Sequence, residues 1–123
     1  AQIIQKEEAL ESEEKNKILA EISALLDHEE FQNLFSGIVR CEVEIAGKIR
    51  NQKIVGRIDL LVEKEDEVLI IDYKSDETLP DKTPQDYINQ LRTYEDLVRN
   101  IYPTKKITSV ILWVKFLSFT YLS

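Results

Sequence analysis

Val68-Leu69-Ile70-Ile71-Asp72-Tyr73-Lys74 is the stretch whose reading decides the fold. Its first four residues form an unbroken apolar run rich in β-branched side chains, the pattern of a strand covered on both faces. The run ends on a carboxylate, with an ammonium group two positions later on the same side of the strand. Just upstream, Lys64 to Glu67 is a polar turn. Before it, Lys53 to Glu63 reads as a strand carrying a second carboxylate, Asp59, inside Gly56-Arg57-Ile58-Asp59-Leu60-Leu61. Further upstream, Ile38 to Ala46 alternates with period two. That sets Val39, Cys41, Val43 and Ile45 on one face and Arg40, Glu42 and Glu44 on the other, and Gly47 to Gln52 is the polar turn that follows. Three successive strands with short turns predict an antiparallel meander.

Downstream, Ser75 to Lys82 reads as a loop, and Thr83-Pro84 as a helix start, threonine capping and proline losing no hydrogen bond at the first helical position. The helix runs to about Asn100 with Tyr87, Leu91, Tyr94, Val98 and Ile101 on one stripe, and Tyr102-Pro103 stops it. Lys106 to Val114 is a further strand, and Phe116 to Leu122 reads as either an edge strand or an unnatural end. At the other end, Ile3 to Leu26 is rich in helix formers, with Ile18, Leu19, Ile22, Leu25 and Leu26 on one face and the apolar-free stretch Glu11 to Lys17 exposed or a break. Asp27 and Glu30 form a reciprocal cap for a short helix carrying Phe31, Leu34 and Phe35, which Gly37 ends. The order of elements predicts one α/β (α+β) domain over residues 1–123: a helical part over 1–36, and a sheet core with one long helix over 37–123. The sheet is expected to be central and mixed, built on the antiparallel three-strand meander and flanked by helices.

With 123 residues, 43% of them hydrophobic and 32% charged, the chain has the size and balance of a single globular domain. Sixteen basic against twenty-three acidic residues give a charge of −7, which argues against indiscriminate adhesion to nucleic acid or to an anionic membrane. Contact with DNA would then be local, through Lys48, Arg50, Lys53, Arg57, Lys82 and Arg92. The single cysteine, Cys41, excludes an internal disulfide. Without paired Cys/His spacing there is no structural zinc motif, and both features fit a reducing cytoplasm. No apolar run approaches the ~18–20 residues of a membrane span, and the acidic start is unlike a signal peptide. The sequence contains no methionine, which suggests a processed chain or a piece of a longer one.

The chemistry gathers on Asp59 and Asp72. Ionised carboxylates beside a core cost several kcal/mol unless compensated. With the turn centred near Asp66, the two lie opposite each other on paired strands, with Cβ atoms ~5 Å apart. Converging hard oxygen donors suit Mg²⁺ or Mn²⁺, and the Lys74 ammonium is placed to hold a water or to neutralise charge on a phosphoryl oxygen. The plainer alternative is that the two aspartates form salt bridges with Arg57 or Lys74.

Glu42, then Asp59 in Gly-x-x-Asp, then Asp72-Tyr73-Lys74 closing an apolar strand, then Gln90-x-x-x-Tyr94 on the next helix, resemble the PD-(D/E)XK nuclease superfamily. Within it, the likeness is to the nuclease domain of the RecB and AddA subunits of bacterial helicase-nucleases. It runs from about residue 17 to 114 and takes in Leu34-Phe35, Glu42-x-x-Ile45-x-Gly47, Ile70 to Asp76 and Ile101-Tyr102-Pro103. The resemblance implies a restriction-endonuclease-like core and Mg²⁺-dependent, exonuclease-like hydrolysis of DNA in double-strand break repair and recombination, alongside a helicase motor. Carried over by position, it makes Asp59, Asp72 and the carbonyl of Tyr73 the metal ligands and Lys74 the catalytic lysine. It makes Glu42 the acidic residue near the metal or its water, and Gln90 and Tyr94 the helix pair that positions phosphate or lysine.

Two points depart from that pattern. Gln90 and Tyr94 share their stripe with core residues, so packing competes with a site role; Tyr87, Cys41 and Trp113 are read as core. The family's histidine, in a Gly-x-x-x-His setting, has no counterpart here. His28 follows a cap residue and is not assigned as a ligand, so the family's first helix is expected to precede residue 1. A catalytically silent remnant, or a DNA- or protein-binding module of the same fold, is the competing reading.

Overall fold

Val68, Leu69, Ile70 and Ile71 are buried on both faces in the computed structural model of the chain, which describes residues 2–4, 20 and 29–122. They form the middle of β4 (Glu67–Lys74). Around it, in chain order, are β1 (Gln2–Ile4), α1 (Glu29–Leu34), β2 (Ile38–Ile49), β3 (Gln52–Glu63), α2 (Gln85–Ile101), β5 (Lys106–Trp113), a 3₁₀ turn at Val114–Phe116 and β6 (Ser118–Tyr121). The strands make one six-stranded sheet in the order β1-β2-β3-β4-β5-β6. β4 and β5 pair in parallel and the other pairings are antiparallel, so the meander and the mixed sheet match the sequence expectation. A parallel pair cannot be joined by a hairpin, and α2 is the crossover that joins this one.

The alternation of β4 divides the core in two. Val68 and Ile70 meet Leu91, Leu97 and Val98 of α2, together with Val43, Ile45, Ile58 and Ile111. Leu69 and Ile71 meet Leu34 and Phe35 at the end of α1, together with Leu60, Val62, Val110 and Leu112. Each such side chain contributes roughly 1.5–3 kcal/mol when fully buried, so β4 is held firmly from both faces. At the far end of α2, Tyr102 hydrogen-bonds Glu63 and lowers its pKa, tying the helix end to β3.

Four local expectations are corrected. Ile3 and Ile4 belong to a strand paired with Ile45 and Glu44, not to a helix, because β2 offers an edge that two β-branched residues can join. Val43 and Ile45 face α2 whereas Cys41 packs on the opposite side, so Val39, Cys41, Val43 and Ile45 do not share a face. The cause is Glu42, whose φ of +52° is left-handed and flips the alternation. The β2–β3 turn is shorter than read: Arg50 and Asn51, at φ +53° and +64°, make a two-residue turn of the primed kind, and the strands extend to Ile49 and Gln52. Finally, Pro84 occupies the N-cap of α2 with no side-chain cap bond, so Thr83 does not cap it. Instead the Pro84 carbonyl accepts the N–H groups of Tyr87 and Ile88 at 3.0 and 3.2 Å.

The helix read over residues 5–26, with Asp27 and His28, lies outside the described residues except for Ala20, which is helical. Among the described residues no helix is long and apolar enough to cross a membrane.

Candidate active site

The β3–β4 ladder ends at Leu60↔Ile71, and the next residues on the two strands are Asp59 and Asp72. This is the register expected from a turn centred near Asp66. Where the ladder stops, a side chain takes over: Asp59 Oδ2 accepts the backbone N–H of Tyr73 at 2.9 Å. Asp72 lies on the same side of β4 as Val68 and Ile70 and is 7% exposed. Its Oδ2 is buried and takes no hydrogen bond of good geometry, but Lys74 Nζ stands 3.0 Å away as an ion-pair partner. Burial pushes the Asp72 carboxyl up to about 6; Lys74 pulls against this and the negative charge of Asp59 adds to it. The salt bridge to Lys74 in the plainer reading is present. Arg57 pairs with Glu42 at 3.5 Å.

Lys74 is held from two sides. Its Nζ faces Asp72 and also lies 4.2 Å from the centre of the Tyr87 ring. Burial lowers the pKa of the lysine, but the ion pair with Asp72 outweighs that, so its pKa is raised and the ammonium form is secured. Tyr87 is anchored in turn: its hydroxyl donates to Asp76 Oδ2 at 3.1 Å and its ring lies 6.2 Å from that of Trp113. Sequence reasoning placed Tyr87 in the core, where its ring does pack, and missed the lysine above it. The available signal was its position one helical turn before Gln90 on the stripe that meets the end of β4.

Gln90 and Tyr94 sit on that same side of α2. Gln90 Nε2 donates to the Tyr94 hydroxyl at 3.3 Å; Gln90 is exposed and Tyr94 is buried. Burial raises the Tyr94 pKa against a backbone hydrogen bond from Arg57, and the charges of Asp59 and Asp72 raise it further. The tyrosine ring fits because residue 56 is glycine: a Cβ there would lie 2.5 Å from Tyr94 Cε1. The glycine of Gly-x-x-Asp therefore makes room for the ring beside the strand that carries Asp59.

Glu42 stands one strand further away. The pairs Cys41↔Leu60 and Val43↔Ile58 flank Glu42 and Asp59, which themselves make no ladder pair. Glu42, Asp59 and Asp72 therefore occupy one row across β2, β3 and β4. The Glu42 side chain is 6% exposed and its charge is met by Arg57.

Asp59, Asp72, Tyr73 and Lys74 are thus brought together at the end of β4, Gln90 and Tyr94 adjoin them on α2, and His28 lies outside the described residues. Among the described residues no group of three or more His, Cys, Asp or Glu side chains is disposed to hold a metal ion. The two aspartates nonetheless fit a hard divalent cation. Two carboxylates of like charge, one with a buried oxygen lacking a good hydrogen bond, form a donor set that such an ion would neutralise.

No curated protein shows significant similarity to the chain. A family profile does match, over residues 2–118, which is nearly the whole sequence and includes every candidate site residue described above. The mixed sheet with its parallel β4–α2–β5 unit is therefore that of a restriction-endonuclease-like α/β fold, and the chain belongs to the PD-(D/E)XK nuclease superfamily.

Proposed function

We propose that this nuclease-superfamily domain is a Mg²⁺- or Mn²⁺-dependent deoxyribonuclease of RecB/AddA type, exonuclease-like and acting in double-strand break repair. The observation that carries the reading is the cluster at the end of β4, where Asp72 and Asp59 adjoin and Lys74 Nζ lies 3.0 Å from Asp72. Asp59, Asp72 and the main-chain oxygen of Tyr73 would hold the ion, which supplies a more acidic bound water and neutralises phosphate charge. Lys74, kept protonated by Asp72, stabilises the negative charge that grows on the phosphoryl oxygens. Tyr94, close enough to Asp59 and Asp72 to feel their charge, and its partner Gln90 present a hydroxyl and an amide for orienting the phosphate, and Glu42 contributes negative charge next to Asp59. A helicase motor suits a domain of charge −7, because tethering replaces intrinsic affinity for DNA with effective concentration.

The test is cleavage of linear single- and double-stranded DNA, run beside calorimetric titration of Mn²⁺. Asp59→Ala, Asp72→Ala and Lys74→Ala each abolish cutting while circular dichroism stays native, and Asp72→Ala also loses Mn²⁺ binding. Cutting by Asp72→Ala at near wild-type rate overturns the reading. A second reading, a silent remnant or binding module of the same fold, is favoured by one observation: the described residues offer two clustered carboxylates and not three. Mn²⁺ binding without cutting selects it.

A further inference from the structure

Residues 47–57, Gly-Lys-Ile-Arg-Asn-Gln-Lys-Ile-Val-Gly-Arg, carry four cations and no acid, in a chain whose acidic residues outnumber its basic ones by twenty-three to sixteen. They form the outer part of the β2–β3 hairpin. β3 pairs with β4 over Leu60 to Glu63, so from Asp59 outward the hairpin projects past the end of that ladder. Lys48 and Lys53 are direct cross-strand partners. They share the face turned away from α2, since the neighbouring positions Ile49 and Ile54 pack on the α2 side. Like charges directly opposite each other are destabilising. No acid offsets them: among the described residues Lys48, Arg50 and Lys53 have no ion-pair partner, whereas Arg57 and Arg92 are committed to Glu42 and Glu95. The two-residue turn at Arg50-Asn51 fixes these cations on a short, well-defined tip, so little chain entropy is lost when they meet an anion.

The strand that bears this tip also bears Asp59. At about 3.3 Å per residue, Lys53 lies roughly 20 Å and the turn roughly 26 Å along β3 from Asp59. At about 3.4 Å per nucleotide, that spans about six to eight nucleotides of a duplex strand. We propose that the β2–β3 hairpin is a DNA phosphate contact that grips the substrate about six to eight nucleotides from the reacting phosphate, through Lys48, Arg50 and Lys53. This rests on the nuclease reading for its substrate and adds a second, non-catalytic contact to it.

The test measures binding of a 30-base-pair duplex in EDTA, where no cutting occurs, across a salt series. Lys48→Gln, Arg50→Gln and Lys53→Gln combined is expected to bind at least tenfold more weakly near 0.1 M salt. Its log–log salt slope should be shallower by about 2–3, at about 0.9 for each phosphate that is no longer neutralised. A control that removes the same charge elsewhere, Arg99→Gln with Lys106→Gln and Lys115→Gln, keeps the wild-type slope. Methylphosphonates at the sixth to eighth phosphates from the cut, mapped with Mg²⁺ present, weaken the wild type and leave the triple variant unchanged. An unaltered slope in the hairpin variant, an equal loss in the control, or a wild type that binds no duplex overturns the proposal. A wild type that binds through the hairpin yet never cuts refutes the nuclease reading alone. One that cuts while the hairpin variant binds equally well refutes the hairpin alone.

Discussion

The ammonium of Lys74 rests 4.2 Å from the centre of the Tyr87 ring and 3.0 Å from the Asp72 carboxylate. A lysine has four rotatable bonds, and two contacts of different kinds restrict it to one position. Cation–π contacts contribute about 0.5–2 kcal/mol, enough to alter how often the ammonium is in place. Tyr87→Phe keeps the ring and loses only the Asp76 bond, so cleavage should stay within about threefold of wild type. Tyr87→Leu should lower the rate of cutting by about tenfold, the equivalent of ~1.4 kcal/mol, at saturating DNA and with Mn²⁺ affinity unchanged. Single-turnover kinetics with calorimetry separates these outcomes.

The acidity of Asp72 makes stability depend on pH in an unusual direction. Its carboxyl is raised from an ordinary 3.8 to about 6, by burial first and by Asp59 in addition, with Lys74 opposing. Between those values the folded state holds a proton that the unfolded chain releases, so this contribution is present below about pH 4 and is lost as pH rises to 6. Its size is on the order of 3 kcal/mol. In urea titrations from pH 4 to 7 in EDTA, the wild type should lose stability relative to Asp72→Asn as pH rises. Mg²⁺ should restore it above pH 6 and do little near pH 4.

Gly56 and Tyr94 should prove coupled. Gly56→Ala sets a methyl 2.5 Å from Tyr94 Cε1, an overlap relieved only by moving the ring or α2. Overpacking of this kind costs about 1–3 kcal/mol. Tyr94→Ala removes the obstruction, so the double variant should be destabilised by less than the sum of the singles. A thermodynamic cycle from chemical denaturation measures the difference.

Glu42 holds a left-handed backbone at φ +52° in the middle of a strand. Such conformations cost about 1–3 kcal/mol and persist where the surroundings impose them. Glu42→Gly should therefore keep stability within about 1 kcal/mol of wild type, as relief of strain offsets the loss of the Arg57 pair. Glu42→Val, β-branched and poorly suited to positive φ, should cost at least about 2 kcal/mol more than glycine. On the proposed function both variants lose cutting activity, which thermal melts beside a cleavage assay would show.

Local pattern alone determined a good part of this protein. The apolar run Val68 to Ile71 marked a doubly covered strand, and the polar turn before it set the register that brings Asp59 next to Asp72. The four-and-three spacing of Leu91, Tyr94 and Val98 marked the buried stripe of α2. These features repeat over short distances, so composition and period reveal them. Other features depended on neighbours distant in the chain, and only the tertiary structure decided them. Ile3 and Ile4 are strand because the edge of β2 is there to pair with. Cys41 and Val43 face opposite ways because Glu42 turns left-handed beside Asp59, and no period records a single inverted residue. Tyr87 lies beneath Lys74, and Gly56 yields space to Tyr94, because packing α2 across the sheet brings together side chains 13 and 38 positions apart, contacts that no reading of adjacent residues contains.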